Sequence, residues 1–333
     1  MIVNCGILDA MKTVSPRFLS VSALAGCALA LSACSGASES ADGVSVAAAF
    51  YPLQFVTEQV GGDHVSVEGL TAAGADSHDL ELTPQMMAQV SDADVVVYLS
   101  GFQPAVDEAV ELQAPETGFD VASVTELLEH HGHDHDHDGD HDHDHDHDHD
   151  GDDGHAHDHG GLDPHVWLDP AKFAEIASAV ADRLADVDPD NADDYTANAE
   201  ALTDRLTDLD ASYTTALADC DSRDIVTSHA AFGYLADRYD LHQVSVAGLT
   251  PDATPTADAI REVADYVTEH GVTTVFYETA ASPDVADTVA AETGAQTAVL
   301  DPIETLVADS GDDYFSIMEA NRDTLAQALG CSA

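Results

Sequence analysis

Short, mainly apolar runs alternate with longer stretches in which apolar residues recur every three or four positions. The runs at 44–50, 65–70, 95–99 and 119–121 are strand candidates in the first half, and 225–228, 243–247, 272–277 and 297–300 in the second. The periodic stretches at 53–60, 83–89, 105–111, 230–239, 256–269 and 283–292 are helix candidates. Strands separated by single helices imply βαβ units, which build parallel sheets covered on both faces. A long helical insertion at 170–220 divides the strands into two sets of four. The expected fold is therefore α/β with two lobes, each a four-stranded parallel sheet with flanking helices, joined by one long connecting helix.

The insertion carries two helical patterns. Pro170 suits a first helical position, and Phe173, Ile176, Ala177, Val180 and Leu184 repeat at helical spacing until Pro189. A second pattern, through 192–218, places Tyr195, Leu202, Leu206, Leu209, Tyr213 and Leu217 on one side, with Asp193 and Asp194 at its amino end where the helix dipole favours them. The expected organisation is an amino-terminal lobe over 44–191, the linker helix over 192–218 and a carboxy-terminal lobe over 219–333.

Between 130 and 160 the pattern vanishes. This tract holds 13 His, 12 Asp, 5 Gly and one Ala, with nothing able to pack, and is expected to be a solvated, disordered loop. Charge is the second feature of composition. The 333 residues include 9 Lys+Arg against 64 Asp+Glu, a formal net charge of -55, while 44% are hydrophobic. So large an acidic excess excludes nucleic-acid binding, which depends on cationic contacts to phosphate, and makes cations the natural ligands.

The amino terminus reads as an export segment. Lys12 and Arg17 precede an uncharged run at 18–31, too short to span a bilayer and of the size of a signal-peptide core. Met11 reads as a more natural start than Met1. The run ends in Leu31-Ser32-Ala33-Cys34, which resembles a bacterial lipobox; residues 1–33 would be removed and Cys34 lipidated. Residues 34–43 are small and polar, as expected of a tether holding the protein at the extracytoplasmic face of the cell membrane. Cys220 and Cys331 then remain, either as a disulfide suited to an exported protein or as buried free thiols.

Six His lie outside the tract, and three have suggestive places. His78 follows the second strand, His229 follows the run at 225–228, and His165 stands beside the only Trp; Asp301 follows the run at 297–300. In open parallel sheets, ligands bind beyond the carboxyl ends of the strands, so these groups can converge on one cleft. Three imidazoles and a carboxylate make an N/O set suited to tetrahedral zinc.

These residues carry a family resemblance. The chain resembles the zinc/manganese substrate-binding proteins of bacterial ABC importers over nearly its whole mature length. The resemblance rests on the lipobox, Ser77-His78-Asp79-Leu80-Glu81-Leu82-Thr83-Pro84, Asp163-Pro164-His165-Val166-Trp167-Leu168-Asp169-Pro170, Asp188-Pro189 with Tyr195 and Asn198, Ser228-His229-Ala230-Ala231-Phe232-Gly233-Tyr234-Leu235, and Glu292-Thr293-Gly294-Ala295 with Leu300-Asp301-Pro302. It implies two lobes on one long helix that limits hinge motion, and a metal held by His78, His165, His229 and Asp301. It also implies zinc as the transported ligand, an ABC permease with its ATPase as partner, a monomer, and no enzymatic activity. His229 in place of Glu favours zinc over manganese, and a His-rich insertion is typical of zinc members. His133, His135, His137, His141, His143, His145, His147 and His149 would form an auxiliary, low-affinity metal loop. One departure is Gly101-Phe102-Gln103, where the family often has an acidic residue and Trp. The rival readings are a manganese or iron importer component, an adhesin and a zinc hydrolase; against the last, no metalloprotease-like general base is present.

Overall fold

Valine dominates the central strands: Val95, Val96 and Val97 are all buried, as are Val46, Ala47 and Ala48 beside them. Continuous burial of this kind marks parallel strands covered by helices on both faces. The computed structural model describes residues 43–129, 161–251, 254–279, 282–308 and 310–332, all within one unit spanning Ala41–Ala333. The first half runs β1 (Val44–Ala48), α1 (Tyr51–Gly61), β2 (Val65–Gly69), α2 (Pro84–Asp92), β3 (Val95–Tyr98), α3 (Pro104–Gln113) and β4 (Gly118–Asp120). Then come α4 (Pro170–Val187) and α5 (Ala192–Ala216). The second half runs β5 (Asp224–Thr227), α6 (Gly233–Arg238), β6 (His242–Ser245), α7 (Ala257–His270), β7 (Thr274–Tyr277), α8 (Asp284–Thr293), β8 (Gln296–Val299) and α9 (Tyr314–Ala328).

Both sheets are parallel and share one topology, β2-β1-β3-β4 and β6-β5-β7-β8. The strand order reverses at β1/β3 and at β5/β7, and such switch points open a crevice beyond the strand ends. All eight expected strands are present among the described residues, displaced by no more than two residues at an end. The expected α/β architecture of two four-stranded sheets on a long helix holds.

Helix α4 begins where its sequence says it should. Asp169 accepts from the Ala171 N–H at 2.8 Å, with Pro170 at the first helical position. Helix α5 has 25 residues, about 38 Å at 1.5 Å per residue, and packs along α4 while touching α1 and α9. The last helix, α9, lies beyond the expected elements. It returns Tyr314 to the first half, where that ring meets Phe55 (5.5 Å) and Phe173 (4.7 Å) and its hydroxyl donates to the Trp167 carbonyl at 2.7 Å. One continuous core thus runs from Val44 to Leu329. A smaller core under α7 and α8 gathers Val226, Val263, Val267, Val275 and Val289.

Cys220 and Cys331 are joined as a disulfide, pinning the chain after α9 to the chain after α5. Of the two possibilities left open by the sequence, this is the bonded one. Cys34, the export segment and nearly all of the tether lie outside the described residues.

Candidate metal centre

Three loops that follow strands, and one that precedes α4, bring the centre together. His78 lies in the segment after β2, His229 two residues after β5, Glu304 five residues after β8, and His165 just before the buried turn Val166–Leu168 that leads to α4. One ligand-type atom from each of the four lies within 4.8 Å of all the others. The Glu304 carboxylate is the hub: its Oε1 is 3.3 Å from His78 Nε2, 3.1 Å from His165 Nε2 and 3.3 Å from His229 Nε2. At metal–ligand bonds of about 2.0–2.1 Å, tetrahedral geometry places ligand atoms about 3.4 Å apart. The spacing here is already close to that edge.

Two of the imidazoles are aimed by carboxylates behind them. His165 Nδ1 pairs with Asp163 Oδ1 at 2.7 Å, and His229 Nδ1 pairs with Glu278 Oε1 at 2.5 Å. Binding Nδ1 this way leaves Nε2 facing the centre, the arrangement that orients metal-ligating histidines. The second pairing follows from topology. β5 and β7 are neighbours whose ends are in register, Thr227 opposite Phe276, so His229 and Glu278 emerge side by side. His229 Nε2 is itself buried and faces the Glu304 carboxylate, so it points into the centre and away from solvent.

The third imidazole is held differently. Phe102 meets the His78 ring edge-on at 4.7 Å and also packs on Phe50 at 4.7 Å. Gln103 Nε2 donates to Thr71 Oγ1 (3.0 Å) and to the Ser77 carbonyl (2.8 Å), fixing the residue before His78. The departure at Gly101-Phe102-Gln103 therefore still supplies an aromatic wall and a loop anchor. Gly233 has a steric reason for being glycine: a Cβ there would meet Asp163 Oδ2 at 2.4 Å. The tight turn over 229–232 also delays α6 to Gly233, three residues later than expected.

Asp301 is not a member of the centre; Glu304 takes the place expected for it. The Asp301 carboxylate is committed elsewhere, accepting from the Ile303 N–H at 2.8 Å and from the Thr279 hydroxyl. Its backbone is clamped by Asn321, which accepts from the Asp301 N–H (2.9 Å) and donates to its carbonyl (2.7 Å). The side chain three residues later, one methylene longer, is the one that enters. Glu304 carried no separate sequence signal, because nothing in the spacing reports which way the chain turns after β8. Asp163 and Glu278 were also unidentified. The Asp-Pro-His spacing was the available sign of the first; the second had none.

Burial opposes charge on His229, but hydrogen bonds to Glu278 and Glu304 prevail and raise its pKa to about 10. Burial likewise opposes charge on His165, and Asp163 and Glu304 raise it. Burial would raise Glu304, yet hydrogen bonds with His165, His229 and His78 hold it well below the ordinary carboxylate value. Imidazolium and carboxylate thus stabilise the metal-free fold together. The Glu304 contribution is present above the ordinary carboxylate value and fades as pH falls below it; that of His229 is full below the ordinary imidazole value and fades as pH rises towards about 10. A cation taking the Nε2 atoms must displace protons, so its affinity rises with pH.

Residues 46–328 match the family described as ZnuA, zinc-uptake complex component A, periplasmic. The chain belongs to this family. It is 34% identical to the zinc-binding lipoprotein AdcA of Streptococcus pneumoniae over 90% of its own length, and spans 59% of that protein. It is 35% identical to the high-affinity zinc uptake system protein ZnuA of Bacillus subtilis, covering 92% of this chain and 96% of that one. Among solved structures, Zn(II)-bound AdcA from Streptococcus pneumoniae aligns with a TM-score of 0.70 and 30% identity, covering 86% of this chain and 58% of the other. The family is one of transport components, and the four-residue centre is the feature of this chain that suits a metal cargo. His133, His135, His137, His141, His143, His145, His147 and His149 lie outside the described residues.

Proposed function

We propose that the protein captures Zn2+ outside the cytoplasmic membrane and delivers it to an ABC permease driven by its ATPase. The observation that carries this reading is the meeting of His78, His165 and His229 Nε2 on one Glu304 carboxylate. Three nitrogen donors and one oxygen favour zinc over manganese, whose preference is for oxygen. The zinc-binding names of the relatives point the same way. Four protein ligands leave no open position for a reacting water, which argues against a hydrolase. In this reading the protein acts as a monomer tethered through lipid on Cys34, a role needing no spanning helix; no described helix is long and apolar enough to cross a membrane. The His/Asp tract at 130–160 would raise the local zinc concentration, with exchange too weak to compete with the centre.

Zinc uptake by cells lacking this protein tests the proposal. Restoring the full-length chain is expected to restore growth under zinc chelation, and a His165→Ala chain is expected to fail. Equal rescue by both, or rescue only by added manganese or iron, would refute it.

A further inference from the structure

Asp301 stands beside the centre without joining it, and its contacts define a different task. We infer that Asp301 is a positioning residue for Glu304, holding the turn that carries that carboxylate into the ligand set. The inference rests on the zinc reading above.

Three of the four ligand-bearing loops use one device. Asp76 Oδ1 accepts the His78 N–H at 2.7 Å, Asp163 Oδ1 accepts the His165 N–H at 2.9 Å, and Asp301 Oδ1 accepts the Ile303 N–H at 2.8 Å. Each is an aspartate bonded to the backbone two residues on, the Asx turn that bends the chain locally. In the first two loops the bonded residue is itself a ligand. In the third the ligand follows by one.

That third turn is the most demanding. Ile303 is buried and has φ 61°, a left-handed conformation that a β-branched residue adopts only when its surroundings impose it. Asp301 supplies the bond to that residue's own N–H. Trp167 Nε1 donates to the Pro302 carbonyl at 2.7 Å, and Ser77 Oγ donates to the Glu304 carbonyl at 2.9 Å, fixing the residues on either side. The other Asp301 oxygen takes the Thr279 hydroxyl, and Thr279 adjoins Glu278, which aims His229. The supports of two ligands therefore meet at Asp301.

Zinc competition titrations and the visible spectrum of the Co2+-loaded protein distinguish positioning from ligation. Glu304→Gln is expected to weaken zinc and alter the Co2+ bands. Asp301→Ala should do the same, with affinity falling about 10–100-fold, the usual effect of losing an outer partner. Asp301→Asn keeps an acceptor for the Ile303 N–H and should stay within about threefold of the parent, with its Co2+ spectrum retained, as a tenfold change is the smallest expected for a lost partner. Added to Glu304→Gln, Asp301→Ala should cause no further loss. Equal losses in Asp301→Asn and Asp301→Ala would show that the charge itself acts, and additive losses with Glu304→Gln would separate the two residues; either overturns the inference. If Asp301→Ala fails to fold, Asp301→Asn decides alone, parent-like affinity supporting the role and a tenfold loss refuting it. A Glu304→Gln protein with unchanged zinc affinity and Co2+ spectrum would instead overturn the ligand set beneath it.

Discussion

Replacing His78 with alanine is expected to end tight, one-to-one zinc binding while leaving the fold in place. The ring lies at the edge of the centre, packed on Phe102, and its loss leaves Glu304 still paired with His165 and His229. The buried carboxylate is therefore not orphaned, and the metal-free protein should keep its structure. Binding is another matter. Removing an outer partner of a ligand commonly costs 10–100-fold in affinity, and removing a ligand should cost more than 100-fold. A competition titration against a zinc chelator, with circular dichroism to confirm folding, reads this directly. An unchanged titration curve would remove His78 from the centre. His229→Ala would be a less clean probe, since it strips partners from both Glu278 and Glu304.

Loss of the Cys220–Cys331 bond should produce the largest change in stability. The two cysteines are 111 residues apart, and the chain-entropy description gives about 4–5 kcal/mol at 25 °C for a loop of that size, an upper value. The loop encloses the whole second sheet together with α9, so the unfolded chain gains much freedom when it opens. A Cys220→Ser/Cys331→Ser protein should melt roughly 10 °C lower than the parent, at about 2–4 °C per kcal/mol for a domain of this size. Reductant should lower the parent's midpoint similarly and leave the variant's unchanged. Identical midpoints for variant and oxidised parent would contradict this account of the bond.

Legibility differed sharply between elements and turns. Strands such as Val95–Tyr98 and Asp224–Thr227 were readable because their buried stretches, Val95–Val97 and Ile225–Val226, are uninterrupted β-branched apolar residues, a pattern that marks parallel strands covered on both faces. His78 and His229 were readable because parallel topology sends whatever follows a strand towards the cleft. Glu304 was not. Its entry depends on Ile303 at φ 61° and on the Asx bond from Asp301, and neither leaves a mark in hydrophobic periodicity. The rule about strand ends favoured Asp301, which is nearer to β8, while the chain spends that residue on shaping the turn. Helix α9 was missed for another reason. Its buried face includes Asn321 among Tyr314, Phe315, Met318 and Leu325, which blurs the amphipathic pattern, although the Asp313 cap with Ser316 was a usable start signal. Asn321 is buried there because it clamps the Asp301 backbone. A polar residue that serves the cleft thus disguised the helix carrying it.

One zinc ion should sit among the four ligands. Crystals of the full chain loaded with one equivalent of zinc, measured on both sides of the zinc absorption edge, locate it without assumption. A single dominant anomalous peak is expected about 2.0–2.2 Å from Nε2 of His78, His165 and His229 and from a carboxylate oxygen of Glu304, with Asp301 outside the bonded set. A dominant peak elsewhere, or one bonded to Asp301 in place of Glu304, would contradict it.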